Sequence, residues 1–355
     1  ALRIEARYFT NVVMDPRSQN MVRSLFVNMQ ALSKGARRPK DFEKYDVKKI
    51  GILGAGLMGA GIAYVTAKAG IEVILIDTDQ DAADKGKDYS IKILDKQLSK
   101  KRTTEEKKEK LLNLITPTTD YSLLQGADLI VEAVFENRDI KAEVTAKAEA
   151  QIAETAVFGS NTSTLPITGL AKNSERPNNF IGIHYFLSLI NISEPEIIMG
   201  KETSQETLAK TMDYVQKIKK TPIVVNDSRG FYTSRVFSTY TGEGVAMLAE
   251  GIKPALIENA GKMTGMPMAP LALSDAVALD LAWKVTTQTK KDFEEEGKEF
   301  PVTPMYSIME EMVEKQGRFG KKNNKGFYEY PENGKKYLWP ELSNLCKESD
   351  DQPDV

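Results

Sequence analysis

The chain has 355 residues, enough for two domains with separate cores, and its formal charge of −2 gives no reason to expect binding to nucleic acid or membranes. One cysteine and one histidine exclude an internal disulfide, a cysteine-based metal site and most zinc sites. No apolar run approaches the ~20 residues that cross a bilayer, and no secretory signal is recognisable. We therefore expect a protein of a reducing, cytoplasmic compartment.

Residues 1–45 precede the first recognisable domain. Apolar residues recur every three or four positions over 21–32, which predicts an amphipathic helix, and 34–39 have the composition of a linker. Two interpretations are open: an arm packed on the main body, or the end of a preceding domain. The first residue is Ala1 and not methionine, which favours a processed or excised segment.

The next stretch has the order of a dinucleotide-binding unit. An apolar run at 49–53 predicts a strand, and Gly54-Ala-Gly-Leu-Met-Gly59 follows it without a spacer. Residues 60–69 predict a helix, and 71–76 predict a second strand that ends at Asp77. Strand, G-x-G-x-x-G turn, helix, strand and acid together indicate dinucleotide binding far more specifically than the glycines alone.

Each glycine of this motif has an expected task. Gly54 allows the tight turn, Gly56 lets the backbone approach a pyrophosphate, and Gly59 lets helix and strand pack closely. The diphosphate is expected on unpaired N–H groups at the helix N-terminus, and Leu57 and Met58 of the turn are counted among the cofactor-binding residues.

Asp77 predicts which dinucleotide binds. A carboxylate at this position accepts hydrogen bonds from the adenosine ribose, and it would repel a 2′-phosphate. The following Thr78-Asp79 supplies no arginine to hold such a phosphate. NAD is therefore favoured over NADP.

The remaining apolar runs predict a doubly wound, mostly parallel sheet, because they alternate with helical patterns. The predicted strands lie at 127–134, 156–161, 180–186, 196–199 and 222–225. Thr103-x-x-Glu106 and Thr203-x-x-Glu206 predict capping boxes for two of the helices. Asn161 and Ser163 follow a strand, where ligands of such sheets bind. Four lysines in the helix after Asp77 either contact substrate phosphates or form a solvated face; they are Lys85, Lys87, Lys92 and Lys96.

From Gly230 onward only helical patterns occur up to about residue 317, and they predict a second, all-helical domain. The predicted helices are 231–250, 254–264, 274–293 and 304–315. Residues 274–283 are either an interface or core. The polar, acidic end from Glu348 is expected to fray. We predict four parts: an arm (1–45), a Rossmann domain (46–228), a helical substrate or dimerisation domain (229–335) and a polar tail (336–355).

His184 is the only candidate for the base that alcohol oxidation by NAD requires. Taken alone, His184 is better explained as a structural histidine at a strand end, and Glu196 alone as a solvated strand residue. Twelve residues separate them across two predicted strands, which is close enough to place the carboxylate against the imidazole. Such a carboxylate fixes the tautomer and stabilises the imidazolium.

Several motifs resemble one known family. They are Gly51-Ile-Leu-Gly-Ala-Gly-Leu-Met-Gly-Ala-Gly61, Val131-Glu-Ala-Val-Phe-Glu-Asn137, Ser160-Asn-Thr-Ser163, Gly182-Ile-His-Tyr-Phe186, Gly230-Phe-Tyr232 and Lys325-Gly-Phe-Tyr-Glu-Tyr330. Through them, residues 46–330 resemble the 3-hydroxyacyl-CoA dehydrogenases, most closely the dehydrogenase part of multifunctional fatty-acid β-oxidation proteins of the α-subunit type. The arm resembles the helical connection after a hydratase domain, so an excised segment is expected.

The resemblance implies an activity and a set of roles. The reaction is NAD-dependent oxidation of an L-3-hydroxyacyl-CoA to the 3-ketoacyl-CoA, by a homodimer or by part of a larger complex. His184 and Glu196 match the catalytic pair, and Ser163 faces the substrate hydroxyl. The implied NAD contacts are Asp77, Glu136, Lys141 and Ser163. Ser234 stands at a substrate-binding position where many members carry asparagine.

One stretch departs from the family. Residues 187–195 are unlike it throughout, and Leu187 replaces a polar side chain expected beside the nicotinamide. Besides an active dehydrogenase, two readings are open: a catalytically weakened acyl-CoA- or NAD-binding module, and an NAD enzyme acting on a small 3-hydroxy acid.

Overall fold

A computed structural model describes residues 1–185, 195–295, 297–346 and 348–353, and it contains two compact units. The first unit is Ala1–Tyr232 and the second is Thr233–Val355. Within the described residues, no helix combines the length and the apolar character needed to cross a bilayer.

The first unit is built on one eight-stranded sheet with the order β3-β2-β1-β4-β5-β6-β7-β8. All neighbouring strands are parallel except β6 and β7, which are antiparallel. The strands are β1 (Lys49–Leu53), β2 (Glu72–Ile76), β3 (Ile115–Thr118), β4 (Leu129–Glu132), β5 (Val157–Ser160), β6 (Phe180–His184), β7 (Glu196–Met199) and β8 (Ile223–Asn226). The predicted doubly wound, mostly parallel sheet is confirmed.

Helices cover both faces of this sheet, as the two separate apolar clusters show. One cluster contains Ile52 and Val131 with Ile62 of α4, and the other contains Leu53 and Phe158. Strands β1, β2 and β4 to β7 are almost completely buried, which accounts for their continuous apolar runs. After the arm, the helices of this unit are α4 (Leu57–Lys68), α5 (Gln80–Ser99), α6 (Glu105–Leu112), α7 (Arg138–Glu149), α8 (Ile167–Ala171) and α9 (Gln205–Lys217).

The capping predictions were wrong by one residue at two helices. Thr104, and not Thr103, caps α6 by accepting a hydrogen bond from the Lys107 amide. Ser204, and not Thr203, caps α9. Adjacent hydroxyl residues make the two registers indistinguishable in sequence, and only the backbone conformation decides between them.

The N-terminal arm consists of α1 (Leu2–Met14), α2 (Pro16–Val22), a π-helical turn (Arg23–Asn28) and α3 (Met29–Ser33). None of these residues is buried. The linker after α3 is anchored, because the guanidinium of Arg38 forms an ion pair with the buried carboxylate of Asp213 at 2.7 Å. The arm is thus held at this junction, and its helices contribute nothing to the core.

The second unit is helical around one apolar cluster. Its helices are α10 (Thr233–Ala249), α11 (Pro254–Met263), α12 (Pro270–Val277), α13 (Leu279–Glu295), α14 (Pro304–Glu310) and α15 (Leu342–Leu345), and its strands are β9 (Tyr328–Glu329) and β10 (Tyr337–Leu338). The single helix predicted at 274–293 is wrong, because Ala278 has a φ of +91° that separates α12 from α13. Leu279 and Trp283 are buried in the cluster, so this stretch includes core residues.

The polar tail is better attached than its sequence suggests. Leu342 is 1% exposed within the apolar cluster. The amide of Ser349 and the side chain of Gln352 both donate to the carbonyl oxygen of Gly251. The expectation of a frayed end therefore fails as far as residue 352.

Candidate active site

The turn between β1 and α4 forms an open backbone cradle. Gly54 has a φ of +93°, and a Cβ there would lie 2.6 Å from the carbonyl oxygen of Ala133. A Cβ at Gly59 would overlap the carbonyl oxygen of Gly54. A Cβ at Gly56 would meet nothing within 4 Å. Two glycines are therefore required by the fold itself, whereas Gly56 faces empty space.

This cradle fits a pyrophosphate. Gly56 is the N-cap of α4 and supplies no side-chain hydrogen bond, so the amides of the first turn, beginning at Leu57 and Met58, lack a side-chain cap. Such amides and the helix dipole favour an anion at this end of the helix.

Asp77 lies at the end of β2 and ties the glycine turn to that strand. Its Oδ2 accepts a hydrogen bond from the amide of Ala55 at 2.7 Å, and its Oδ1 accepts one from the amide of Thr78 at 2.7 Å. The side chain stays partly exposed. The carboxylate thus stands beside the cradle, as a ribose-binding acid requires, and it also holds the turn together.

His184 and Glu196 lie directly opposite each other in the antiparallel pair of β6 and β7. Residues opposite each other in such a pair project from the same face, and Nδ1 of His184 lies 2.8 Å from Oε2 of Glu196. The histidine is 6% exposed and the glutamate is completely buried. Because a carboxylate only accepts, Nδ1 donates to it, and in the neutral ring this leaves Nε2 as the nitrogen that can accept a proton. The contact predicted from the sequence is present.

The loop after β5 leaves the sheet at the same edge as His184. The side-chain oxygen of Asn161 accepts a hydrogen bond from the amide of Tyr185 at 2.9 Å, and this joins the ends of β5 and β6. The loop continues through Ser163, whose side chain is partly exposed. Ser163 therefore belongs to the same strand-end region as the histidine.

The carboxylate of Glu136 organises this loop. Its Oε1 accepts hydrogen bonds from the hydroxyl of Thr162 at 2.6 Å and from the amides of Ser163 and Thr164, both at 3.1 Å. Partial burial opposes ionisation of Glu136, but the Lys141 ammonium and these donors outweigh that effect and lower the pKa of the carboxyl. Glu136 is therefore a fixed anion beside Ser163.

Lys141 connects Glu136 to a second acid. Its ammonium lies 2.7 Å from Oε1 of Glu132 and 3.3 Å from Oε2 of Glu136, and the side chain is 3% exposed. Glu132 also accepts hydrogen bonds from the hydroxyl of Ser160 at 2.7 Å and from the amide of Val134 at 2.8 Å. The carboxylate of Glu136 thus brings Lys141 and the Ser163 loop together, and Glu132, which was not singled out in the sequence, binds the same ammonium.

Glu132 had a signal that the sequence analysis did not use. It is an acid inside a strand of a parallel sheet, where both faces are covered. A charge at such a position needs a buried partner, and the lysine nine residues later is one.

Two further sequence-based assignments, Ser234 and Leu187, remain predictions. Ser234 is partly buried near the start of α10, in the second unit. Leu187 lies outside the described residues, as do its neighbours from Phe186 to residue 194.

Comparison with known proteins decides the family. Residues 49–228 match the family described as 3-hydroxyacyl-CoA dehydrogenase, NAD binding domain, and residues 230–330 match the C-terminal domain of the same family. The chain belongs to the 3-hydroxyacyl-CoA dehydrogenase family. NAD is the cofactor of its first domain, as predicted.

Individual relatives agree with this assignment. The chain is 37% identical over 330 residues to a fatty acid oxidation complex subunit alpha of Pseudomonas syringae, an alignment that covers 93% of this chain and 45% of the relative. The (S)-3-hydroxybutyryl-CoA dehydrogenase of Ralstonia eutropha is 32% identical with a TM-score of 0.74, and the alignment covers 81% of this chain and all of that one. The dehydrogenase part of multifunctional enzyme 1 from C. elegans is 27% identical with a TM-score of 0.61, covering 93% of this chain and 77% of that one. The chain spans slightly less than half the length of the curated relatives it matches.

Proposed function

We propose that this family member oxidises L-3-hydroxyacyl-CoA thioesters to 3-ketoacyl-CoA with NAD, as a step of fatty-acid β-oxidation. The observation that carries the proposal is the buried His184–Glu196 pair, with its 2.8 Å contact at a strand end shared with the Ser163 loop. A buried imidazole held by a carboxylate is the arrangement that proton removal from a hydroxyl needs.

The proton moves to Nε2 of His184. Glu196 accepts the hydrogen bond from Nδ1, holds the reactive tautomer and stabilises the imidazolium once the proton has arrived. The hydroxyl of Ser163 orients the substrate oxygen. When bound, NAD supplies the acceptor for the hydride that leaves C3.

The cofactor would be held by residues at the carboxyl ends of the strands. Gly54, Gly56 and Gly59 shape the turn, and the helix amides from Leu57 and Met58 onward meet the pyrophosphate. Asp77 binds the adenosine ribose.

Glu136, Lys141 and Ser163 complete the cofactor side. We assign the NAD contacts among these three to the exposed parts of Glu136 and Ser163, since the buried Lys141 ammonium already bridges two carboxylates. Lys141 then acts by fixing Glu136. Ser234 is assigned to the substrate.

The wider context extends the same proposal. We place the activity in the cytoplasm, in a homodimer or as part of a larger multifunctional chain. The boundaries proposed for the domains are 1–45, 46–228, 229–335 and 336–355.

Turnover of acetoacetyl-CoA, followed through NADH absorbance, tests the proposal. We expect oxidation of NADH with the CoA ester and little response to free acetoacetate. A strong response to the free acid alone would favour a small-acid dehydrogenase. A protein that binds NAD without turnover, and gains activity in Leu187→Asn, would be the weakened module.

A further inference from the structure

The segment 227–232, which follows β8, connects a hydrogen-bonded anchor at Asp227 to the pair of His184 and Glu196. The anchor is Asp227, whose carboxylate accepts hydrogen bonds from the amides of Ile167 and Thr168 at 2.9 and 2.8 Å. Both amides belong to the first turn of α8. The start of the segment is therefore fixed to the body of the first unit.

The segment then makes a turn with two consecutive left-handed residues. Gly230 has a φ of +70° and Phe231 a φ of +46°. Glycine adopts this conformation freely, but a bulky residue does so only where its surroundings impose it. The Phe231 ring supplies that constraint, because it is 1% exposed and packed in the apolar cluster of the sheet.

Both residues at the end of this turn contact the pair. The centroid of the Phe231 ring lies 5.8 Å from that of the His184 imidazole, with an angle of 54° between the planes. The amide of Tyr232 donates a hydrogen bond to Oε1 of Glu196 at 3.0 Å. The other oxygen of the same carboxylate faces His184. Each carboxylate oxygen is thus fixed by a different neighbour.

We propose that Phe231 and Tyr232 are positioning residues for the proton transfer. The proposal rests on the function assigned above, in which Nε2 of His184 takes the substrate proton. The strained turn aims the Tyr232 amide at Glu196 and sets the Phe231 ring against the imidazole. Together these contacts stop the carboxylate from rotating and keep the proton of the neutral imidazole on Nδ1.

The single histidine makes this proposal directly measurable. Histidine labelled with ¹⁵N gives signals from His184 alone in a protein without an affinity tag, and its ring nitrogen shifts report the tautomer. We expect the neutral wild-type imidazole to be almost entirely the Nδ1–H form. In Phe231→Leu we expect a mixture of tautomers, and a kcat lower by about 10- to 100-fold with the Kd for NAD within about 2-fold.

Phe158→Leu is the matched control. Phe158 is also 1% exposed, and its ring stacks on that of Phe180 in the same unit. A structural role alone would make both variants alike: each would lose stability, and each would keep the wild-type tautomer and the wild-type kcat per NAD site. That outcome would overturn the proposal. If Phe231→Leu does not fold, Gly230→Ala strains the same turn with one methyl group and carries the same expectation.

The spectrum separates this proposal from the proposed function. If the wild type holds the Nδ1–H tautomer but oxidises no acyl-CoA, the positioning proposal stands and the proposed dehydrogenase function is wrong. If the wild type is active but Phe231→Leu and Gly230→Ala keep a single tautomer and full kcat, the proposed function stands and the positioning proposal is wrong.

Discussion

The ammonium of Lys141 lies 2.7 Å from Oε1 of Glu132, and both side chains are almost completely buried. Charges taken out of water at such a site depend on each other, since removal of one leaves the other uncompensated. Lys141 of this pair also contacts Glu136, which accepts a hydrogen bond from the amide of Ser163.

Lys141→Met should lower the free energy of unfolding by about 3–5 kcal/mol. The double variant Glu132→Gln/Lys141→Met should recover part of that loss, because it no longer buries Glu132 as an unpaired charge. Urea unfolding followed by circular dichroism measures both. Lys147→Met is the control: its pair with Glu143 is exposed on the same helix and should cost less than about 1 kcal/mol. Equal losses in the two lysine variants would contradict this account.

His184→Gln should reduce turnover by at least ~10²-fold while NAD binding survives, because it removes the base and keeps much of the shape. Glu196→Gln should also lose rate. The two losses should not add, since both residues serve one proton transfer. Steady-state kinetics with a separate NAD titration tests this. Unchanged turnover in His184→Gln would rule the mechanism out.

Asp77 should make the protein select NAD over NADP. Asp77→Asn keeps an acceptor oxygen for the Ala55 amide but removes the negative charge, so the preference for NAD should fall by about 10-fold. Titration of both cofactors into both proteins measures it. Equal wild-type affinities for NAD and NADP would show that Asp77 does not bind the adenosine ribose.

Ala278→Gly should stabilise the second unit by about 1 kcal/mol. Ala278 holds a φ of +91°, which an L-residue adopts only with strain and glycine adopts freely. Ala276→Gly is the matched control inside α12, where glycine should instead cost about 0.5–1 kcal/mol. Both tryptophans, Trp283 and Trp339, belong to this unit, so their fluorescence follows its unfolding. Two variants that shift stability in the same direction would refute the prediction.

Asp275 should make the stability of the second unit depend on pH. Burial raises the pKa of its carboxyl from 3.8 to about 6, although the amides of Phe327 and Tyr328 donate to it and act the other way. The raised pKa means that the folded state binds the proton more tightly than the unfolded state does. The stabilising contribution of the protonated form is therefore complete below pH 3.8 and is lost as pH rises through about 6.

Ionisation of Asp275 should lower the free energy of unfolding by about 3 kcal/mol. The measurement is the difference in unfolding free energy between wild type and Asp275→Asn at a series of pH values. We expect the wild type to lose stability relative to the variant between pH 4 and 6 and the difference to level off above that. A difference that stays constant over the whole range would show that the pKa of Asp275 is not displaced.

Much of the first unit follows from local patterns. β1 begins and ends where its apolar run predicts, and the His184–Glu196 contact follows from two short strands separated by a connection. In contrast, β3 contains Pro117 and few apolar residues, so nothing marks it as a strand. Proline is tolerated there because β3 lies at the sheet edge.

The remaining errors have a common origin in tertiary contacts. Alanine favours a helix, so the break at Ala278 cannot be read from its residue type. The ion pair between Lys141 and Glu132 forms only because α7 packs against β4. The separation of the two residues in the sequence does not predict that packing. Phe231 and Tyr232 belonged to a motif of the family, but their contacts with the pair depend on a left-handed turn that phenylalanine does not predict.

The glycine turn has a consequence for how variants of this protein would be selected. A methyl group at Gly54 or Gly59 collides with the backbone of the protein itself, so such variants would already fail a selection for folded, soluble chains. At Gly56 the same methyl group meets no protein atom within 4 Å, and in the proposed site it would enter the space of the dinucleotide. A library screened for expression would therefore retain Gly56→Ala, and only growth that depends on turnover would remove it. Selection for folding would thus maintain Gly54 and Gly59, whereas selection for turnover would maintain Gly56.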